Sequence, residues 1–139
     1  MSLIERPWNY NRMMLFSGLV ITLLMLTSAP LLARGVPTPS SIAGGRIITA
    51  EEALDMHKGK ALFVDVRNPI NFGRGHIPDA VSYPYKGKSG NRQDFDALSD
   101  KFDVTRLPIG NNTRVVFYSH GVTGWKSYKA AVTTIKSGQ

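Results

Sequence analysis

The stretch Arg114-Val-Val-Phe-Tyr-Ser-His-Gly-Val-Thr-Gly-Trp-Lys-Ser-Tyr-Lys-Ala-Ala131 decides the fold. Its first five residues are β-branched or aromatic after the opening arginine, the composition of a short strand buried on both faces. Gly121 and Gly124 then mark a tight loop, and from Trp125 onward a helix is predicted. A loop that leaves a buried strand and feeds directly into a helix points backbone N–H groups inward, and the helix N-terminus adds partial positive charge. Ser119, His120, Gly121, Val122, Thr123, Gly124 and Trp125 are therefore the candidate anion-binding loop. Gly121 and Gly124 are expected to supply unusual backbone angles. Lys126 is placed to attract an anion, and Ser127 to bond the loop backbone.

Working outward, Ala61 to Val66 is a second apolar run interrupted only by Asp65, the pattern of a central parallel strand. Before it, Arg46 to Ile48 reads as a short strand. Thr49 and Glu52 have capping-box spacing, so a helix is expected to start there and end near Gly59. After it, residues 68–75 suit a loop or short helix, and Val81 to Tyr83 a further strand. Residues 86–92 read as loop, Asp94 to Phe102 as a helix and residues 108–113 as a turn region. Strands and helices alternating at these lengths indicate an α/β domain with a parallel sheet flanked by helices and right-handed crossovers. In such sheets ligands bind at the carboxyl ends of strands, which is where the Ser119–Trp125 loop is expected. Asp65 and Arg67, charged groups at the end of a buried strand, should pair with each other or with loop backbone. His76 is expected to bond the backbone of its own turn.

Gly-Val-Thr-Gly-Trp-Lys-Ser also has a superficial likeness to a phosphate-binding Walker loop. That motif needs glycines where this chain has Trp125 and His120, so its close backbone approach to a triphosphate is blocked.

Taken in order, Ala61-Leu-Phe-Val-Asp-Val-Arg67, Gly75-His-Ile-Pro78, Ala80-Val-Ser-Tyr-Pro84 and the strand-loop-helix at 114–131 resemble the rhodanese (sulfurtransferase) family over residues 46–138. The resemblance implies that residue 119 stands where the family places the cysteine that carries a persulfide sulfur. This chain has serine there and no cysteine anywhere. A serine hydroxyl ionises far above neutral pH and acts as a nucleophile only with a base beside it. Relatives with a longer Cys-x-Gly-x-x-Cys-Trp-x-Ser loop are the closer pattern, and against them Ser119 and Gly124 both replace cysteines. The resemblance further implies another strand, a turn and a final helix after residue 139. The domain at 46–139 is therefore expected to be incomplete at its C-terminus, with open sheet edges and an uncovered apolar face.

Met13 to Ala33 carries no charged residue and is flanked by Arg12 and Arg34. It reads as a membrane-directed hydrophobic helix, and residues 1–33 as a signal peptide or signal anchor. Residues 34–45, rich in Gly, Pro and Ser, read as a flexible tether. The expected location is the inner membrane facing the periplasm, or the periplasm if the signal is cleaved. Without cysteine no disulfide can staple the exported domain.

Lys and Arg exceed Asp and Glu to give a net charge of +7, but they are dispersed with no basic run, which argues against nucleic acid as a partner. Three scattered histidines offer no metal-ligand spacing, and neither a metal nor a cofactor is expected. Two functional classes follow. One is a catalytically inactive rhodanese-like module that binds a small anion or a protein partner through the Ser119–Trp125 loop. The alternative is a sulfurtransferase-related enzyme with a non-cysteine mechanism, for instance Ser119 activated by His120.

Overall fold

The computed structural model describes residues 35–110 and 112–138. The hydrophobic helix expected at 13–33 lies outside the described residues. Among the described residues, no helix is long and apolar enough to cross a membrane.

Among the described residues the sheet has three parallel strands, β1 (Leu62–Asp65), β2 (Val81–Ser82) and β3 (Val115–Tyr118), in the order β2-β1-β3. Val64 pairs with Val81 on one side and with Phe117 on the other. β1 is central, and its run Phe63-Val-Asp65 is fully buried, as its apolar sequence requires. Helices α1 (Ala50–Lys58), α2 (Pro69–Arg74) and α3 (Trp125–Lys136) flank the sheet. The domain is thus a mixed α/β fold with a parallel sheet.

Local chemistry fixes the helix starts. Thr49 Oγ1 accepts from Glu52 N at 3.2 Å while Glu52 Oε2 accepts from Thr49 N at 2.8 Å, a reciprocal capping box. Asn68 caps α2 through Asn71 N, and Pro69 occupies the first turn, where its missing N–H costs nothing.

The main core joins Val64, Val66, Tyr85, Val104, Leu107 and Ala130. A second cluster packs Phe95 against Trp125 and Tyr128 of α3, with Ile42 alongside.

Two expected elements are absent. Arg46–Ile48 is not a strand. A strand needs a neighbour to bond, and this segment instead approaches α1 through the Arg46–Glu52 ion pair. Asp94–Phe102 is not a helix but a series of turns. Asp96 accepts from Leu98 N at 3.0 Å, and Lys101 exchanges backbone hydrogen bonds with Lys86 in an antiparallel bridge. Aspartate and serine side chains compete for backbone groups in this way and undercut helix formation.

Residues 36–45 of the stretch read as a flexible tether make contacts with the domain. Val36 O accepts from Trp125 Nε1 at 2.7 Å, and Thr38 N donates to Val122 O at 2.9 Å. Ile42 packs into the second cluster.

Candidate functional site

β3 delivers Ser119 to the carboxyl end of the sheet, and a 3-10 turn over Gly121–Thr123 leads into α3. Ser119 Oγ lies 2.8 Å from the Gly124 carbonyl oxygen and 2.9 Å from Ser127 Oγ, and Ser127 Oγ is 3.0 Å from the same carbonyl. The two hydroxyl protons can fill two of these three contacts at a time, which leaves both hydroxyls and the carbonyl bonded. The Gly124 carbonyl thus presents an acceptor to Ser119 Oγ, while Ser127 Oγ can serve it as donor or acceptor.

The remaining loop residues divide by role. Gly121 has φ +64°, a left-handed conformation that favours glycine. Gly124, expected to need such an angle too, has φ −83°. It must be glycine for space: a Cβ would overlap Ser119 Oγ and press on Gly121 O and His120 N. Val122 and Thr123 are exposed, Val122 to 78%. Trp125, grouped with the loop on sequence, belongs to the core at 6% exposure, its ring edge-on to Tyr128 at 5.5 Å. Lys126 is half-buried at the start of α3.

No Ser119–His120 dyad forms. His120 is exposed, and its Nε2 accepts from Asn71 Nδ2 of α2 at 2.9 Å, while Ser119 turns toward Gly124 and Ser127. Among the described residues the hydrogen-bond partners of Ser119 Oγ are the Gly124 carbonyl and Ser127 Oγ, neither of which is a base.

Asp65 and Arg67 form a two-pronged ion pair next to the loop. Arg67 Nε is 2.9 and 3.0 Å from the two Asp65 oxygens, and Arg67 Nη2 is 2.6 Å from Oδ2 and 2.6 Å from Gly75 O. The Asp65 side chain is wholly buried and that of Arg67 is 18% exposed. Burial raises the Asp65 carboxyl, but the hydrogen bonds from Arg67 outweigh it and hold the group below its ordinary range. The guanidinium also lies over the Tyr118 ring at 5.6 Å, so the pair ties the ends of β1 and β3 to the 75–77 turn. His76 Nδ1 donates to Phe72 O at 3.0 Å, and its ring stacks on Phe72 at 3.8 Å.

One buried cluster escaped the sequence reading. Lys129 on α3 is 3% exposed, and its Nζ donates to Ser89 O at 2.9 Å and Ser89 Oγ at 2.8 Å, with Asp100 Oδ2 at 3.9 Å. Asp100 accepts from Tyr85 OH, Lys88 N, Ser89 N and Ser89 Oγ. Burial raises the Asp100 carboxyl, but these bonds prevail and draw it down to about 2. The available signal was helical spacing: Trp125, Tyr128, Lys129 and Val132 fall at i, i+3, i+4 and i+7, which puts a lysine in the core-facing stripe.

Beside the Ser119 loop an open groove of about 740 Å³ runs between β3, α3 and residues 46–56. Its lining is mostly apolar, including Ile47, Met56, Phe63, Phe117 and Ile135, and among the described residues its only charged side chain is Arg46. A smaller cavity of about 380 Å³ at the start of β1, between His57, Lys60 and Asp79, lies away from the loop. Among the described residues no group of acidic or histidine side chains is arranged to hold a metal ion.

A parallel α/β sheet with a loop at the end of its last strand, backed by a buried Asp-Arg pair, defines the class of domain. The Rhodanese-like domain model matches residues 49–138, and the chain belongs to the rhodanese-like domain family. No curated protein and no solved structure gives a significant match.

Proposed function

We propose that this rhodanese-like domain carries no sulfur at residue 119 and acts as a binding module for a protein partner. The observation that carries the reading is the closed triangle of Ser119, Ser127 and the Gly124 carbonyl, in which the serine hydroxyl bridges strand and helix. A carbonyl facing Oγ disfavours a bound anion at that point. The apolar groove beside the loop favours protein over a small anion as the partner.

The test is the thiol of a Ser119→Cys variant. A family-type cradle would lower its pKa, whereas a neighbouring carbonyl disfavours the thiolate. Alkylation by iodoacetamide followed against pH should therefore show a midpoint at or above about 8.5, the ordinary cysteine value. A midpoint below about 7 would mean that the loop still activates a thiol and that the reading is wrong.

Attachment to a membrane through residues 13–33 belongs to the same proposal and rests on the uncharged apolar run. Fractionated cells should hold the full chain in the membrane pellet, with the domain open to protease from the periplasmic side. Recovery of a soluble product beginning near Arg34 would replace the anchor by a cleaved signal.

A further inference from the structure

The chain enters the domain beside the Ser119–Trp125 loop. Trp125 Nε1 donates to Val36 O at 2.7 Å, and the N–H and hydroxyl of Thr38 both donate to Val122 O, at 2.9 and 3.1 Å. A Cβ on Gly35 would touch the Thr123 side chain at 3.5 Å, so residue 35 also passes close to the loop. These bonds fix the entry point whatever follows residue 139. The uncharged apolar run ends at Ala33. From there to Val36 an extended chain reaches at most about 11 Å. The headgroup layer beyond the hydrocarbon core is itself about 5–7 Å deep on each side. A domain joined to a bilayer-spanning run by so short a link cannot swing clear of the surface, and the end that carries Val36 is the end that meets it.

The side chains at this end suit such a surface. Val36 is 61% exposed and Val122 78%. The segments around the loop, residues 35–50, 66–78 and 114–139, contain no aspartate or glutamate, and they carry Arg74 and Lys126. Arg74 stands one turn on in α2 from Asn71, which bonds His120 of the loop. Exposed aliphatic groups among cations, with no neighbouring carboxylate to repel phosphate, match an anionic lipid surface. From this we infer that the loop end of the domain, Val36 and Val122 foremost, docks on anionic lipid headgroups, with Arg74 and Lys126 at the phosphates. An acidic protein would also match the cations, but only the bilayer is held within reach by the chain itself. The Ser119 loop then works at the lipid surface and not in bulk solvent. The inference rests on the membrane-attachment reading and specifies the surface that the domain presents to the membrane.

Because the chain has no cysteine, a single introduced thiol takes a single label. Val122→Cys, and Lys58→Cys near the amino end of β1, are each made in the full chain and labelled with a fluorophore. Each is reconstituted in vesicles of phosphatidylcholine and phosphatidylglycerol in which some lipid carries a headgroup nitroxide, a quencher that acts at contact range. The nitroxide should cut emission from position 122 at least about twofold and leave that from position 58 unchanged. Arg74→Glu combined with Lys126→Glu, or vesicles of phosphatidylcholine alone, should restore the emission at 122. Equal quenching at both positions, or none at 122, would overturn docking by this end of the domain. Quenching at 122 that survives both the charge reversal and the neutral lipid would overturn the assignment of anionic headgroups. Chain stripped from the vesicles by alkaline carbonate would instead show that the apolar run is not inserted, and the docking inference would fall with the attachment reading. Chain that resists carbonate but gives no quenching at 122 would sink the docking alone.

Discussion

Replacing Asp100 by Ala is expected to destabilise the domain by about 3–5 kcal/mol, the usual cost of removing one member of a buried ion pair. The carboxylate accepts from Tyr85, Lys88 and Ser89 and stands 3.9 Å from Lys129 Nζ, with both charged side chains almost fully buried. Its loss leaves the lysine without its counter-charge, packed 5.3 Å from the Phe95 ring centre and still held to Ser89, whose N–H and hydroxyl lose their acceptor. Such a loss is a large share of the stability of a domain this size. Denaturant titration of the full chain and the variant measures it, and a difference below about 1 kcal/mol would contradict the account.

The same carboxylate predicts an acid limb. Its folded value near 2 lies below the reference 3.8, so the folded state binds fewer protons in the intervening range. The contribution, on the order of 2 kcal/mol, is fully present well above pH 4 and is lost as pH falls from about 4 toward 2.

A second large effect is expected at Arg67. Arg67→Met leaves a wholly buried Asp65 carboxylate with only the backbone N–H of residue 67 among its present Arg67 bonds, and should cost about 3–5 kcal/mol. The double variant Asp65→Leu with Arg67→Met removes both charges. It should recover most of that loss, because a buried pair replaced by apolar groups is often close to neutral. Thermal and denaturant unfolding of the two variants decides the point: a double variant no more stable than the single one would mean that the pair matters through Arg67's bond to Gly75 O, not through charge matching.

The parts of this fold legible in the sequence are those fixed by near neighbours. The Thr49 capping box, the buried run of β1 and the strand-loop-helix from Val115 onward each depend on residues a few positions apart. Arg46–Ile48 failed as a strand because strand formation depends on a distant partner. Residues 94–102 failed as a helix because Asp96 and Ser99 bond locally and Asp100 is recruited by Ser89. The loop residues were visible, but their use was not. Whether Ser119 faces donors or the Gly124 carbonyl depends on the path of the 3-10 turn and on Gly124 lacking a Cβ. The groove is likewise a property of spacing between β3 and residues 46–56, which no local pattern encodes.

The central claim is that a rhodanese-like domain here holds no transferable sulfur, and it is tested most directly by incubating the purified full chain with thiosulfate and then cyanide. Intact mass is read after the first step and thiocyanate after the second. The account predicts no mass gain of a sulfur atom and no thiocyanate above the protein-free blank. Thiocyanate formed over many turnovers, and abolished by Ser119→Ala, would contradict it.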